Sequence, residues 1–238
     1  MPRKDRSLPE LAREGAQKAR GGLKRGSGKA KGMEQKEAIM ELNSLWRPIR
    51  PYLAQHVAEL YGRHDGKVLE IGPFSGLALE LARRDIGTSF HVAAFPGAIA
   101  ETLKDEAREL GLVGKVTIAE SDEGLMGVPR ETFNLIIFRG AFFFPSFFSP
   151  DLFAIYGCLK AGGMALLGGG FGRHTPEHVI KGVEKRSKAL NQALGRVRIT
   201  DRDLWPSLEG AGLKERATII IEGGLWVVVR KGSSPRMS

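Results

Sequence analysis

The chain of 238 residues has a single cysteine, Cys158, and no apolar run close to the roughly 20 residues that span a membrane. One cysteine excludes an internal disulfide framework and a metal site built from several cysteines. The N-terminus is charged and lacks the apolar stretch of a secretory signal. We therefore expect a soluble, cytoplasmic protein without a membrane span. The length is sufficient for one large domain with a substantial core.

Acidic residues are scarce at the N-terminus, and this accounts for most of the net charge of +9. Residues 1–32 hold ten lysines and arginines against three acids, a net charge of +7, which leaves +2 for the other 206 residues. This Gly- and Lys-rich tail has too little apolar surface to fold alone, so we predict that it is disordered. It suits loose binding to RNA, anionic lipid or an acidic partner, or it is a solvated extension without a specific role. The near-neutral body argues against nucleic-acid contact except through the tail.

The remaining sequence divides into two parts. Apolar spacing interrupted by Pro48 and Pro51 predicts N-terminal helices in residues 33–64. Strand and helix signals then alternate through residues 65–238. The predicted strands are 67–71, 89–94, 115–119, 133–138, 164–167, 217–221 and 225–229, and the predicted helices are 75–84, 97–110, 151–159, 176–194 and 201–211. This order predicts a doubly wound α/β fold, with a seven-stranded, mostly parallel sheet, a C-terminal β-hairpin and added N-terminal helices.

The most informative motif is a glycine turn, which we define as residues 70–76. A buried strand passes through Gly72 and Gly76 into a helix, so helix N-terminal amides and closely approachable backbone lie at the strand's carboxyl end. Such a turn suits a nucleotide-like ligand. The acid at Glu70 favours a cationic or hydroxyl-rich ligand over a phosphate. Two glycines in a turn of this kind also serve tight packing, so the motif gains its weight from the motifs that follow it.

Taken together, the motifs resemble the class I S-adenosylmethionine-dependent methyltransferases, and among them a small-molecule branch that includes the ubiquinone and menaquinone C-methyltransferases (methyltransferase type 11). The likeness covers roughly residues 67–231. It rests on the turn Leu69-Glu70-Ile71-Gly72-Pro73-Phe74-Ser75-Gly76, on the fourth-strand run 133–141, and on Leu159-Lys160-Ala161-Gly162-Gly163 leading into the fifth strand. The final hairpin is similar to the family's reversed seventh strand.

The resemblance implies S-adenosylmethionine as the cofactor and assigns roles to individual residues. Glu70 would fix the turn and lie near the methionyl ammonium. Asp122 matches the acid that accepts a hydrogen bond from the adenine amino group, and Arg139 would line the cleft after the fourth strand. The implied cofactor-binding set is Glu70, Gly72, Phe74, Ser75, Gly76, Asp122 and Arg139.

Two residues depart from the family's pattern. Phe74 replaces the middle glycine of the turn; a side chain there costs roughly 1–2 kcal/mol if the backbone is left-handed, and its ring could fill cofactor space. Ala93 stands where the second strand should end in an acid that binds the ribose diol, with Ala94 in a shifted register. Losing such charged hydrogen bonds would weaken cofactor binding about a hundredfold or more unless another group substitutes.

An aromatic run, residues 141–148, follows the fourth strand, where substrates of this fold normally enter. Phe142 and Phe143 are the candidate substrate-binding residues, as a wall for an apolar acceptor. The alternatives are a helix-packing cluster and an oligomer interface.

Two histidines, His174 and His178, are four residues apart, as metal ligands on a helix can be. The intervening Thr175-Pro176 places His174 before the helix, and no third ligand is near in sequence, so we expect no metal site. His174 is instead the candidate catalytic residue, as a proton acceptor reaching the cleft from the fifth-strand loop.

These observations predict methyl transfer from S-adenosylmethionine to a small, partly apolar acceptor. The first alternative, motivated by Phe74 and Ala93, is a non-catalytic methyltransferase-like domain that binds a partner or a different nucleotide ligand. The second is an RNA methyltransferase that uses the basic tail. Against it, the run Arg139-Gly140-Ala141-Phe142 lacks the Asn/Asp-Pro-Pro-aromatic motif of the amino-methylating nucleic-acid enzymes.

Overall fold

The computed structural model describes the backbone of residues 25–232 and the side chains of residues 34–232. The helices are α1 (Arg25–Leu45), α2 (Arg50–Tyr61), α3 (Leu77–Arg83), α4 (Gly97–Glu109), α5 (Leu152–Cys158), α6 (Glu177–Ala193) and α7 (Asp201–Gly210). The strands are β1 (Lys67–Ile71), β2 (Ser89–Ala94), β3 (Val116–Glu120), β4 (Phe133–Arg139), β5 (Leu159–Gly169), β6 (Ala217–Ile220) and β7 (Leu225–Arg230). Short 3₁₀ turns at Arg47–Ile49 and Lys214–Arg216 precede α2 and β6.

These strands form one seven-stranded sheet in the order β3-β2-β1-β4-β5-β7-β6. Strands β1 to β5 are parallel, and β7 is antiparallel to both β5 and β6. The strand order reverses between β1 and β4, so a crevice is expected beyond the carboxyl ends of these two strands. The prediction of a doubly wound, mostly parallel sheet with a C-terminal hairpin is confirmed.

Burial explains why β4 lies at the centre of the sheet. Phe133, Leu135, Ile136, Ile137 and Phe138 are each at most 1% exposed. A continuous apolar run of this kind is required where helices cover both faces of a parallel sheet. Among the described helices, none is both long enough and apolar enough to cross a membrane.

The start of α1 differs from the sequence prediction. The helix begins at Arg25, before Met33, where the apolar pattern first indicates a helix. The rest of the predicted disordered tail, residues 1–24, lies outside the described residues.

Strand β5 is longer than the predicted segment 164–167. Leu159 pairs with Phe133 on β4 at one end, and Gly169 pairs with Leu225 on β7 at the other. The extension follows from pairing partners that are distant in sequence, and the glycines that lengthen the strand carry no local strand signal.

Candidate functional site

The glycine turn is anchored by the carboxylate of Glu70, which is fully buried. Its oxygens accept hydrogen bonds from the backbone amides of Gly76, Leu77 and Ala78 at 2.9, 3.0 and 2.9 Å. These amides begin α3 and have no partners within the helix, so a side chain of β1 caps α3 and sets the geometry of the turn. This agrees with the expected role of Glu70 in fixing the turn. Its contact with a methionyl ammonium stays a prediction.

The backbone conformation and the packing of the turn are sufficient reasons for glycine at positions 72 and 76. Gly72 and Gly76 have φ angles of +99° and +116°, which side-chain-bearing residues rarely adopt. A Cβ on Gly72 would lie 2.5 Å from the ring of Phe138, and a Cβ on Gly76 would collide with the guanidinium of Arg50. The Ser75 hydroxyl donates to the Gly72 carbonyl at 2.6 Å, which closes the turn from within.

The N-terminal helices hold the turn from outside. Arg50 on α2 is buried, and its Nη1 lies 2.6 Å from Oε1 of Glu106 on α4. Its Nη2 donates to the carbonyls of Asn43 and Ser75 at 3.1 and 3.3 Å. The Asn43 amide donates to the Pro73 carbonyl at 2.8 Å. The turn is therefore linked to α1, α2 and α4 as well as to its own strand and helix.

Phenylalanines fill the space beside the turn. We define the aromatic cluster as Phe74, Phe95, Phe138, Phe144 and Phe148, which are between 1% and 9% exposed. Phe148 is its centre, with ring centroids 5.4 Å from Phe138, 5.8 Å from Phe95, 6.0 Å from Phe144 and 6.3 Å from Phe74. Aromatic pairs at these separations attract one another, so the cluster is packed core.

The side chain that departs from the glycine pattern takes part in this packing. The φ angle of Phe74 is not positive, so the cost of a left-handed backbone that was considered from the sequence does not arise. Its ring lies 4.7 Å from that of Phe144, and a Cβ on Gly140 would approach it to 2.5 Å. The ring thus bridges the turn and the end of β4.

The end of β2 offers no side-chain oxygen to a ribose diol. Ala93 and Ala94 are buried and carry no side-chain acceptor. Asp122 is exposed, and its Oδ1 accepts a hydrogen bond from the Met126 amide at 3.1 Å, which closes a turn after β3. Asp122 does not line the cavity described next. Its contact with an adenine stays a prediction.

A cavity of about 630 Å³ lies at the carboxyl ends of β4 and β5, with residues of α1 and α6 among its lining. Its aromatic lining consists of Trp46, Phe74, Phe143, Phe144 and Phe171. Of the two predicted substrate-binding residues, the structure brings Phe143 to this cavity and leaves Phe142 out of its lining. The volume lies within the range of about 300–1,000 Å³ that is typical of small-molecule sites.

Trp46, the residue directly after α1, belongs to the lining of this cavity. Its ring stacks on Phe171 with centroids 5.0 Å apart, and its Nε1 donates to the Ser187 hydroxyl on α6 at 2.9 Å. Trp46 and Ser187 are 141 positions apart, so no local pattern could have brought them together.

Arg139 is the buried charge of the cavity lining, at 6% exposure. Its guanidinium carbon lies 4.7 Å from the ring centroid of Trp46, and its Nη1 donates to the Phe74 carbonyl at 3.4 Å. Burial lowers the pKa of Arg139 to about 10; Glu70 opposes the shift and Arg50 adds to it. The side chain therefore stays positive at neutral pH.

Further charges of the cavity lining are mostly positive. Lys188, Arg196 and Arg198 are exposed and cationic, and Glu184 is their acidic counterpart. The guanidinium of Arg196 lies 4.9 Å from the ring centroid of Phe143, and partial burial of this end of the otherwise exposed side chain lowers its pKa from the usual arginine value. Together with Arg139, these residues give the lining four positive charges and one negative charge.

The structure does not bring His174 to the cavity. Its Nε2 lies 2.7 Å from Oε2 of Glu59 on α2, and His174 is not part of the cavity lining. In the described part of the chain, no three histidine, cysteine or acidic side chains form a group that could hold a metal ion.

Solved structures resemble this chain over most of its length. No family model matches the sequence, and no curated protein matches it. A Methanococcus maripaludis protein, provisionally described as an S-adenosyl-L-methionine-dependent methyltransferase, is 20% identical with a TM-score of 0.66, over 85% of this chain and 95% of that one. A SAM-dependent methyltransferase from Aquifex aeolicus is 15% identical with a TM-score of 0.55, over 82% of this chain and 96% of that one.

An enzyme with bound ligands also shares the fold. Geranyl diphosphate C-methyltransferase from Streptomyces coelicolor A3(2), in complex with Mg²⁺, geranyl diphosphate and S-adenosyl-L-homocysteine, is 13% identical with a TM-score of 0.52, over 76% of this chain and 80% of that one. At these identities the likeness establishes the methyltransferase fold, and activity has to be argued from the site.

Proposed function

We propose that this protein is an S-adenosylmethionine-dependent methyltransferase that acts on a small, partly apolar acceptor. The observation that carries the proposal is the glycine turn, capped by Glu70 and lying next to the cavity through Phe74. The methyltransferase fold of the solved structures supports the reaction class. The proposal also includes membership of the small-molecule branch with the ubiquinone and menaquinone enzymes, which the sequence motifs support. A cytoplasmic location and the cofactor contacts of the predicted residues are further parts of the proposal.

The residues present fit S-adenosylmethionine only in part. The glycine turn has the strand-to-helix conformation that the resemblance requires. The carboxylate of Glu70 is fully buried and already accepts three backbone amides, so a methionyl group would meet the backbone of the turn and not a free carboxylate. At the nucleoside half, Ala93 has no oxygen for a ribose diol, and Phe95, the residue directly after β2, packs on Phe148 with ring centroids 5.8 Å apart. A nucleoside that bound beside the end of β2 would require this part of the aromatic cluster to rearrange.

The chain's own contribution to an acceptor is clearer. The aromatic lining removes an apolar body from water, and the cations attract an anionic group. His174, the predicted proton acceptor, does not line the cavity, so positioning of the acceptor would be the main contribution to the rate.

Titration of the full-length chain with S-adenosylhomocysteine by calorimetry tests this proposal. A micromolar Kd, followed by transfer of labelled methyl groups from S-adenosylmethionine to a small aromatic acceptor, is the expected result. Absence of binding at millimolar ligand would contradict the enzyme assignment.

A second candidate function is favoured by the aromatic cluster, namely a non-catalytic domain of this fold that binds a ligand in the cavity. Phe148→Ala would open the cluster, and Phe153→Ala, at a residue that is 69% exposed, is the matched control. Binding of S-adenosylhomocysteine by Phe148→Ala but not by the wild type or the control would support this candidate. Micromolar binding of S-adenosylhomocysteine by the wild type would show that the aromatic cluster does not prevent cofactor binding, and would contradict this candidate.

A further inference from the structure

We propose that the cavity binds a small aromatic carboxylate, with Arg139 holding the carboxylate and the aromatic lining holding the ring. The proposed function assigns this cavity to the methyl acceptor, and the present proposal names the chemical class of that acceptor. In that respect it rests on the proposed function. The binding itself is measured without methyl transfer.

The first argument is the state of Arg139. Among residues 34–232 its guanidinium forms no ion pair, and its described hydrogen bond is the 3.4 Å contact with the Phe74 carbonyl. Glu70, the acid that acts on its pKa, already accepts three backbone amides, and Glu106 is paired with Arg50. A buried guanidinium without a carboxylate partner is energetically costly. An anionic ligand that pairs with Arg139 therefore gains more binding free energy than it would from pairing with an exposed cation.

The second argument is the place of Arg139 in the cavity lining, where its guanidinium is held against the face of Trp46. Trp46 is itself fixed by stacking on Phe171 and by its hydrogen bond to Ser187. The planar donor group is therefore preorganised, which suits a carboxylate that accepts two parallel hydrogen bonds.

The third argument concerns the rest of the ligand. Phe143 and Phe144 extend the apolar lining, so an aromatic body gains by leaving water. An uncharged apolar ligand would leave Arg139 unpaired. The exposed Lys188, Arg196 and Arg198 outnumber Glu184, so an anion is also attracted during its approach.

The test compares two probes that differ in charge and little in shape, 2-naphthoate and 2-naphthamide. Calorimetric titration of the full-length protein at pH 7.5 is expected to give a Kd for the acid at least tenfold lower than that for the amide. In Arg139→Met this preference should vanish, because the charge is lost while much of the stem is kept. Arg130→Met, at an exposed arginine whose guanidinium lies 5.8 Å from the ring centroid of Phe153, is the matched control and should keep the preference.

Three results would overturn the proposal. The first is equal affinity for the acid and the amide, or no binding of either; this comparison needs only the wild type, so it holds even if Arg139→Met does not fold. The second is an unchanged preference in a folded Arg139→Met. The third is displacement of naphthoate by S-adenosylhomocysteine together with loss of S-adenosylhomocysteine binding in Arg139→Met, which would assign Arg139 to the cofactor's carboxylate. Failure of methyl transfer alone would contradict the proposed function and leave this inference standing.

Discussion

Replacement of Glu70 by glutamine removes one carboxylate oxygen from the glycine turn with almost no change in shape. In the wild type, Oε2 accepts from the amides of Gly76 and Ala78, and Oε1 accepts from the amide of Leu77. A glutamine can keep its oxygen on the side of Gly76 and Ala78. Its NH₂ group then faces the Leu77 amide, donor against donor, inside a fully buried site.

The magnitude follows from these three bonds. Hydrogen bonds to a charged group contribute about 1.5–3 kcal/mol each, and charge-assisted bonds are roughly twice as strong as neutral ones. Loss of one bond and weakening of the other two lowers the free energy of unfolding by about 3 kcal/mol. With a urea m-value of about 2.5 kcal/mol/M, the midpoint falls by roughly 1.2 M.

Urea unfolding followed by tryptophan fluorescence measures this shift. Glu101→Gln on α4 is the control, because Glu101 is exposed and its pair with Lys104 at 2.8 Å contributes no more than about 1 kcal/mol. If Glu70→Gln unfolds within about 0.2 M of the wild type, about a sixth of the expected shift, the carboxylate does not anchor the turn and the reasoning fails.

Three further outcomes are expected. His56 is fully buried with both ring nitrogens unpartnered among the described residues, and burial lowers its pKa. As the pH falls, the histidine of the unfolded chain is protonated before that of the folded chain. The free energy of unfolding therefore decreases below about pH 6.5, with a slope of up to about 1.4 kcal/mol per pH unit. Urea midpoints at pH 7.5 and 5.5 should show a smaller fall in His56→Leu than in the wild type, and equal falls would contradict this. Phe148→Ala should cost about 3–5 kcal/mol in urea unfolding, and Phe153→Ala less than 1 kcal/mol, since only the former opens a cavity in the core. Glu106→Gln should lower the free energy of urea unfolding by about 3–5 kcal/mol, because it leaves the buried charge of Arg50 without a carboxylate partner. The double variant Arg50→Met with Glu106→Leu should recover much of this loss. A double variant less stable than Glu106→Gln would refute that account.

Strand and helix positions were accessible from local patterns. β1 and β2 begin and end at the predicted residues. Helix α4 ends one residue earlier than predicted, and α6 is one residue shorter than predicted at each end. These segments have strong periodicity and clear turn residues at their ends, so little depends on distant partners. The extension of β5 was missed because its added residues are held in the sheet by β4 and β7.

The candidate site was predicted in part. The glycine turn and Phe143 were identified from their positions after predicted strands, since the carboxyl ends of parallel strands meet at one edge of a sheet. Arg139 was implied by the family resemblance, as a cofactor-binding residue, and the structure places it in the cavity lining. Trp46, Ser187 and Arg196 were not, because each reaches the cavity from a helix or loop with no motif of its own. His174 lies in the loop after β5, but its side chain pairs with Glu59 on α2 and does not line the cavity.

The sequence by itself determined the order of strands and helices, the glycine turn with its buried acid, and the absence of an acid at the end of β2. These are properties of short segments, in which side-chain periodicity and glycine positions suffice. Only the tertiary structure decided that Phe74 and Phe148 pack together, that Arg139 lies on Trp46 without a carboxylate partner, and that the cavity opens by β4 and β5. Those features depend on which side chains fill the space between elements far apart in sequence, and close packing settles that only in the folded chain.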